Sequence, residues 1–222
     1  MRAVGRHLLA LMVMTLPLVP WQAQATDAAT IARQGNGRGA APCIACHGGD
    51  GAGQAQAGNP RLAGLDAAYL EKQLDDFASG TRGSVVMQPT ASALSPEERQ
   101  ALATYYSKLP LPPALATPAT PMPPADSLGA RLATRGDWDR DVPGCVQCHG
   151  PAGVGVGAHF PPLAGQPAAY LAAQLRAWQQ GTRHNDPLQL MQHLSAALSP
   201  QDIQAVSTWF AAQPLPASRA QP

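Results

Sequence analysis

The chain has 222 residues, enough for one large domain or two small ones, and its formal net charge is +1. Aromatic residues make up 5% and charged residues 13%, so few large side chains are available to fill a core. This composition favours a large apolar prosthetic group inside the core, although Ala-rich helical proteins show a similar balance. The near-neutral charge argues against a nucleic-acid-binding protein, which needs a basic surface.

Residues 1–25 have the pattern of a secretory signal peptide. Two arginines come first, an apolar run of 13 residues follows at 8–20, and Ala23-Gln24-Ala25 precedes a predicted cleavage before Thr26. The run is shorter than the roughly 20 residues that a membrane-spanning helix needs. We therefore predict export to the periplasm, with an uncleaved membrane anchor as the alternative.

The rest of the chain is an internal repeat with an offset of 101 to 104 residues. Each copy contains, in the same order, a Cys-x-x-Cys-His motif, Leu-Ala-Gly, Tyr-Leu-x-x-Gln-Leu, Gly-Thr-Arg and Leu-Ser-Pro. The stretch 110–124 holds seven prolines in fifteen residues, which favours an extended linker. We predict a first domain at 26–109, this linker, and a second domain at 125–222.

Helical patterns dominate the first copy. A short helix is predicted at 28–34. A second helix is capped by Asp66 and ends near Gly80, and a third starts with Ser95 as its cap and Pro96 in its first turn.

The second copy repeats this order, beginning with a short helix at 128–135. Its two later helices carry apolar stripes, formed by Leu171, Leu175 and Trp178 and by Ile203, Val206, Trp209 and Phe210. No convincing alternating strand pattern occurs, so the predicted fold class is all-α.

All four cysteines lie in the two Cys-x-x-Cys-His motifs, the signature of c-type haem attachment. Two thiols three positions apart can reach the two vinyl groups of one porphyrin and form thioethers, and the next residue's imidazole can then ligate the iron. We predict two covalently bound haems, held by Cys43, Cys46 and His47 and by Cys145, Cys148 and His149. A redox-active disulfide and a structural zinc site are the alternatives.

The second axial ligand is predicted by elimination among the three methionines that follow the signal peptide. Met122 lies in the proline-rich linker, whereas Met87 and Met191 occupy equivalent places 40 and 42 residues after their histidines. Methionine opposite histidine raises the potential and suits electron transfer. His193 is the rival ligand of the second iron, and we expect the remaining histidines of this copy, His159 and His184, to be surface or loop residues.

Together these motifs resemble the dihaem cytochrome c4 family over nearly all of residues 26–213. The resemblance implies two small helical cytochrome c domains, joined in tandem, with their haems close together. It also implies electron transfer between a membrane quinol-oxidising complex and terminal oxidases.

The same resemblance implies roles for four further residues. Pro60 and Pro161 match the proline whose carbonyl accepts a hydrogen bond from the ligating histidine. Arg82 and Arg183 match arginines near the haem edge, where pairing with a propionate and simple solvation are both open. The segment 185–187 is an insert before Met191 that the first copy lacks.

The predicted function is that of a periplasmic dihaem cytochrome that carries single electrons between respiratory redox proteins. The alternative is the electron-accepting subunit of a periplasmic dehydrogenase, for example a sulfide-oxidising flavocytochrome. A catalytic dihaem peroxidase needs an open iron site, and methionine in both copies argues against it. Association with a membrane complex stays open.

Overall fold

The computed structural model describes residues 27–111 and 121–215. The predicted signal peptide and most of the predicted linker lie outside the described residues. No helix within the described ranges is long and apolar enough to cross a membrane.

The described part of the first copy contains five α-helices. They are α1 (Ala28–Gln34), α2 (Ile44–His47), α3 (Ala67–Ser79), α4 (Met87–Ser92) and α5 (Pro96–Ser107). Helix α3 packs against α4 and α5, and α1 packs against α5. The core between them is small and includes Ile31, Leu70, Leu102 and Tyr106.

The described part of the second copy repeats the five helices. They are α6 (Leu128–Thr134), α7 (Val146–His149), α8 (Ala168–Gln179), α9 (Leu190–Ala196) and α10 (Pro200–Ala211). Helix α10 packs against α6 and α8, with Leu171, Val206, Trp209 and Phe210 in the core. The all-α prediction is confirmed, and the short helices predicted at 28–34 and 128–135 are present.

The helix starts follow from their capping residues. The Asp66 carboxylate accepts the Tyr69 backbone N–H at 3.1 Å, and Gly80 ends α3 in the left-handed region with φ of 83°. The Ser95 hydroxyl accepts the Glu98 N–H at 3.2 Å, while the Glu98 carboxylate accepts the Ser95 N–H at 2.9 Å. A capping box of the same kind begins α10. These side chains satisfy backbone donors that the first helical turn leaves unpaired.

The sequence patterns did not predict the short helices α2, α4, α7 and α9. They also did not predict a two-stranded antiparallel hairpin, β1 (Gly136–Asp137) with β2 (Val142–Pro143). Its strands are too short to show an alternating pattern in the sequence. Gly136 has φ of 77°, and a Cβ there would lie 2.1 Å from the Val142 carbonyl oxygen, so this turn needs glycine.

Gly129 allows α6 and α10 to come into backbone contact, since a Cβ there would lie 2.2 Å from the Ala205 carbonyl oxygen. We expect Gly129→Ala to lower the free energy of unfolding by about 2 kcal/mol, because overpacking outweighs the gain in helix propensity. Chemical denaturation of the holoprotein measures this loss. Gly49→Ala is the matched control, because no atom lies within 4 Å of a Cβ at Gly49. Equal unfolding midpoints for the two variants would contradict the prediction.

Candidate functional site

In the first domain the Cys-x-x-Cys-His motif forms a single helical turn. Cys43 is the N-cap of α2 and Cys46 lies within it, so the two side chains stand on one face, three positions apart. His47 ends the helix and is only 8% exposed. Its Nδ1 atom lies 2.9 Å from the Pro60 carbonyl oxygen. Because a carbonyl only accepts, Nδ1 carries the proton and Nε2 keeps its lone pair for a metal.

The second domain repeats this arrangement. Cys145 is the N-cap of α7, Cys148 lies within the helix, and the buried His149 ends it. His149 Nδ1 donates to the Pro161 carbonyl oxygen at 2.8 Å. Two independent copies of the same histidine–carbonyl pair therefore orient two imidazoles in the same way.

Burial keeps both histidines neutral. Desolvation lowers the pKa of His47 and of His149 below the usual histidine value, and the bond to the proline carbonyl opposes this only in part. A neutral imidazole is the form that ligates iron.

The first cysteine of each motif does not have the environment of a redox-active thiol. Burial raises the pKa of Cys43, and it raises that of Cys145 to about 11. Nucleophilic cysteines of disulfide oxidoreductases have lowered pKa values instead. No disulfide joins any two of the four cysteines. Within the described ranges, no group of three or more Cys, His, Asp or Glu side chains is placed to hold a metal ion.

Each predicted methionine ligand lies at the start of a short helix and is half-buried. Met87 is the first residue of α4, and its backbone N–H donates to the Ser84 hydroxyl at 3.0 Å. Met191 lies in the first turn of α9, and its N–H donates to the Asp186 carboxylate. His193 is exposed on the same helix. In both domains a side-chain oxygen accepts the backbone N–H of the methionine, but the acceptor is a serine hydroxyl in the first domain and an aspartate carboxylate in the second.

The two Gly-Thr-Arg segments meet at the contact between the domains. Arg82 and Arg183 form an isolated antiparallel bridge. On one side of it the Gly83 N–H donates to the Thr182 carbonyl at 2.7 Å, and on the other the His184 N–H donates to the Thr81 carbonyl at 2.9 Å. Equivalent residues contact one another, as in an interface with two-fold symmetry.

Both arginines are buried in this interface, each only 5% exposed. The Arg82 guanidinium lies over the Phe77 ring at 4.5 Å, and that of Arg183 lies over the Trp178 ring at 3.9 Å. The solvated-arginine alternative is therefore wrong, since the domain contact removes both side chains from water.

Two glutamines bind the arginines across the interface. Gln73 Oε1 accepts from Arg82 at 2.8 Å and from Arg183 at 3.2 Å. Gln174 Oε1 accepts from Arg183 at 2.9 Å and from Arg82 at 2.7 Å. Arg82 also donates to the Tyr170 hydroxyl at 2.9 Å. Each glutamine thus joins the arginine of its own domain to that of the other.

The arginines place two like charges in a poorly solvated region. Burial and the nearby Arg82 charge lower the pKa of Arg183 to about 10. Neither arginine is among the residues whose side chains form ion pairs with carboxylates in the described ranges. Buried charges are costly unless they are paired. This cluster is therefore suited to receive anionic groups.

Comparison with known families matches each domain separately. Residues 30–105 match the family described as cytochrome c oxidase, cbb3-type, subunit III, and residues 128–212 match the cytochrome c family. Cytochrome c4 of Pseudomonas aeruginosa is 36% identical over 205 residues, which cover 91% of this chain and 96% of the relative. The chain belongs to the cytochrome c4 family. It is an electron-transfer cytochrome with two cytochrome c domains in tandem, as the sequence predicted.

Two further comparisons involve thiosulfate dehydrogenase systems. The thiosulfate dehydrogenase electron acceptor of Stutzerimonas stutzeri is 54% identical over 195 residues, covering 87% of this chain and 89% of the relative. The solved thiosulfate dehydrogenase TsdBA of Marichromatium purpuratum is 44% identical, with a TM-score of 0.75 over 87% of this chain. This cytochrome spans only 41% of that longer chain.

A solved cytochrome c4 has the same fold. The reduced recombinant protein from Pseudomonas stutzeri is 35% identical, with a TM-score of 0.65, over 77% of this chain and 93% of the solved one.

The residues of this cytochrome fit haem, the group that cytochrome c domains bind. Each domain offers two thiols and a neutral imidazole with a free Nε2 atom. The indole N–H of Trp178 is buried without a hydrogen-bond partner in the described ranges, so it is a donor suited to an acceptor on a bound group. The two buried guanidinium groups are suited to anionic propionates.

Sequence reasoning missed most of the domain interface. Gln73, Gln174, Tyr170 and Asn185 were not predicted as functional residues, and neither was Gln166, whose side-chain amide exchanges two hydrogen bonds of 3.0 Å with the Arg61 backbone. One signal was available. Both copies place glutamine in an otherwise apolar helix face and keep Gly-Thr-Arg at the same distance from it, although neither feature serves the core of a single domain.

Proposed function

We propose that this cytochrome accepts single electrons from a periplasmic dehydrogenase that oxidises thiosulfate, and passes them to a further redox protein. The geometry that supports electron transfer is the buried histidine–proline carbonyl pair, present once in each domain. The relative from Stutzerimonas stutzeri is named thiosulfate dehydrogenase electron acceptor, and this supports thiosulfate as the substrate of the donor enzyme.

Each domain would hold one haem through its own cysteines and histidine. In the proposed arrangement Cys43 and Cys46 form thioethers in the first domain, and Cys145 and Cys148 form them in the second. Residues 26–109 and 125–222 would then be two haem-binding units on either side of the linker. When bound, the haem supplies a one-electron iron couple that no side chain of the chain provides.

The protein sets the properties of each site through its axial ligands and their supports. His47 and His149 would ligate through Nε2, and the carbonyls of Pro60 and Pro161 fix the orientation of the two rings. Met87 and Met191 would be the opposite ligands, which raises the potential.

The interface is proposed to join the two sites. Arg82 and Arg183 would bind propionates, which would neutralise their buried charges and stabilise the docked domains. We propose no substrate-converting role, since methionine ligands in both domains would leave no iron position open.

Export to the periplasm is proposed on the pattern of residues 1–25, which fits a cleaved signal peptide.

The test is reduction of the oxidised mature holoprotein by a thiosulfate dehydrogenase and thiosulfate, followed through the haem absorbance. We expect rapid reduction that stops when either thiosulfate or the dehydrogenase is omitted. Failure of this pair, together with reduction by membranes that contain a quinol-oxidising complex, would overturn the proposal. That result would favour the carrier between a quinol-oxidising complex and a terminal oxidase, a role supported by the identity with Pseudomonas aeruginosa cytochrome c4.

A further inference from the structure

The interface between the domains is symmetric in its arginines and glutamines but asymmetric around Asn185. Asn185 lies two positions after Arg183, as Ser84 lies two positions after Arg82, although the second loop is three residues longer before its methionine. The Ser84 hydroxyl accepts the N–H of Met87, within its own domain. Asn185, by contrast, contacts the other domain.

Asn185 forms a dense set of bonds with helix α3 of the first domain. Its side-chain Nδ2 donates to Gln73 Oε1 at 3.0 Å and to Asp76 Oδ2 at 2.7 Å. Its backbone carbonyl accepts from Lys72 Nζ at 2.9 Å. Its Oδ1 accepts from Arg183 Nε at 3.0 Å, which fixes the side-chain amide from the other side.

The first domain cannot form the reciprocal contact. The position equivalent to Asp76 in α8 is Ala177, which has no side-chain acceptor, and the hydroxyl of Ser84 is too short to replace an amide that bonds three partners. The two domains therefore differ on both sides of this contact, in the loop residue and in the helix residue that it meets.

The next residue connects this contact to the proposed iron ligand. The Asp186 carboxylate accepts the backbone N–H of Met191, and the Asp186 carbonyl accepts the N–H of Gln189 at 3.0 Å. Gln189 has a left-handed backbone with φ of 53°, unusual for a residue other than glycine, so the loop before α9 depends on its bonds to keep this shape. Two consecutive residues thus link α3 of the first domain to Met191 of the second.

We propose that Asn185 is a positioning residue that ties the Met191 loop to the first domain, so that the potential of the second haem depends on the docking of the two domains. This inference rests on the proposed function, in which Met191 ligates the second iron. It predicts that the two haems differ because the Met87 loop has no such tie.

The test is a spectroelectrochemical titration of the full-length holoprotein carrying Asn185→Ser, the residue of the equivalent first-domain position. We expect the equilibrium constant for reduction of the second haem to fall about tenfold, which lowers its midpoint potential by about 59 mV for a one-electron couple. The midpoint potential of the first haem should stay unchanged. The midpoint that Met191→Ala displaces identifies the second haem. We also expect the methionine-to-ferric-iron charge-transfer band to weaken.

Asp76→Ala provides a second variant on the opposite domain, with the residue that α8 carries at the equivalent place. It should lower the same midpoint, that of the second haem, although Asp76 belongs to the first domain. Both variants remove the bond between Asn185 and Asp76, so the part of their effects that depends on this bond should not add in the double variant. Leu188→Ala is the matched control, since Leu188 lies in the same loop and is 86% exposed.

The outcomes separate the two proposals. If the unchanged protein has the methionine band but Asn185→Ser behaves like Leu188→Ala, the positioning role is overturned and methionine ligation stands. If both midpoints move equally, Asn185 acts on docking in general and the specific tie to Met191 is wrong. Absence of the band from the unchanged protein overturns the ligand assignment and this inference with it.

Discussion

A chain in which Cys145 and Cys148 are both changed to alanine is expected to carry about half the covalently bound haem of the unchanged chain. Both thioethers of the second domain are then lost, whereas Cys43 and Cys46 keep theirs. The second domain should also be less stable, because its small core relies on the bound group as an apolar component. Haem staining after denaturing electrophoresis, together with haem quantified per chain, measures the loss.

The matched control is the change of Cys43 and Cys46 to alanine. It should lower the haem content to the same extent, with the remaining haem in the other domain. The chain without any of the four cysteines should show no covalent haem. An undiminished haem content in either double variant would contradict attachment through these motifs.

Met191→Ala is expected to lower the midpoint potential of one haem by a substantial fraction of the roughly 0.8 V over which axial ligands set haem potentials. Loss of the thioether sulfur would remove the proposed ligand that favours ferrous iron and would open one coordination position. Titration should show one displaced midpoint and one unchanged. The same variant should bind carbon monoxide, whereas the unchanged protein should not.

Two further methionine variants serve as comparisons. Met87→Ala should displace the other midpoint, leaving that of Met191 in place. Met122→Ala should displace neither, because Met122 lies in the linker, is 47% exposed and is outside both helical groups. If Met191→Ala left both midpoints unchanged, the ligand would have to be sought elsewhere, with His193 as the first candidate.

Local chemistry accounts for what could be predicted of the fold. Asp66 and Ser95 indicated the starts of two helices, because a side-chain oxygen can accept a backbone N–H two or three residues later. The short hairpin at Gly136 was missed, since two residues per strand carry no periodic signal. Only the packed chain shows that a Cβ at Gly136 would meet the Val142 carbonyl.

The candidate sites also have one part that could be predicted from the sequence and one part that could not. The cysteines and histidine of each motif lie within one helical turn. The candidate haem-binding residues could therefore be predicted from the sequence without any tertiary information. The environment of Arg82 and Arg183 could not be predicted, because it is formed by residues about a hundred positions away. The sequence left solvation open, and the packed domains bury both guanidinium groups against Gln73 and Gln174.

The amino-acid sequence by itself determined the duplicated helical plan and the family, and it predicts the residues that would hold haem. These depend on contacts among residues close together in the chain and on their repetition. The tertiary structure alone decided how the two copies meet, with one antiparallel bridge and crossed arginine–glutamine bonds at its centre. It also placed Asn185 against α3. The reciprocal contact cannot form, because the first domain has Ser84 in place of Asn185 and the second domain has Ala177 in place of Asp76.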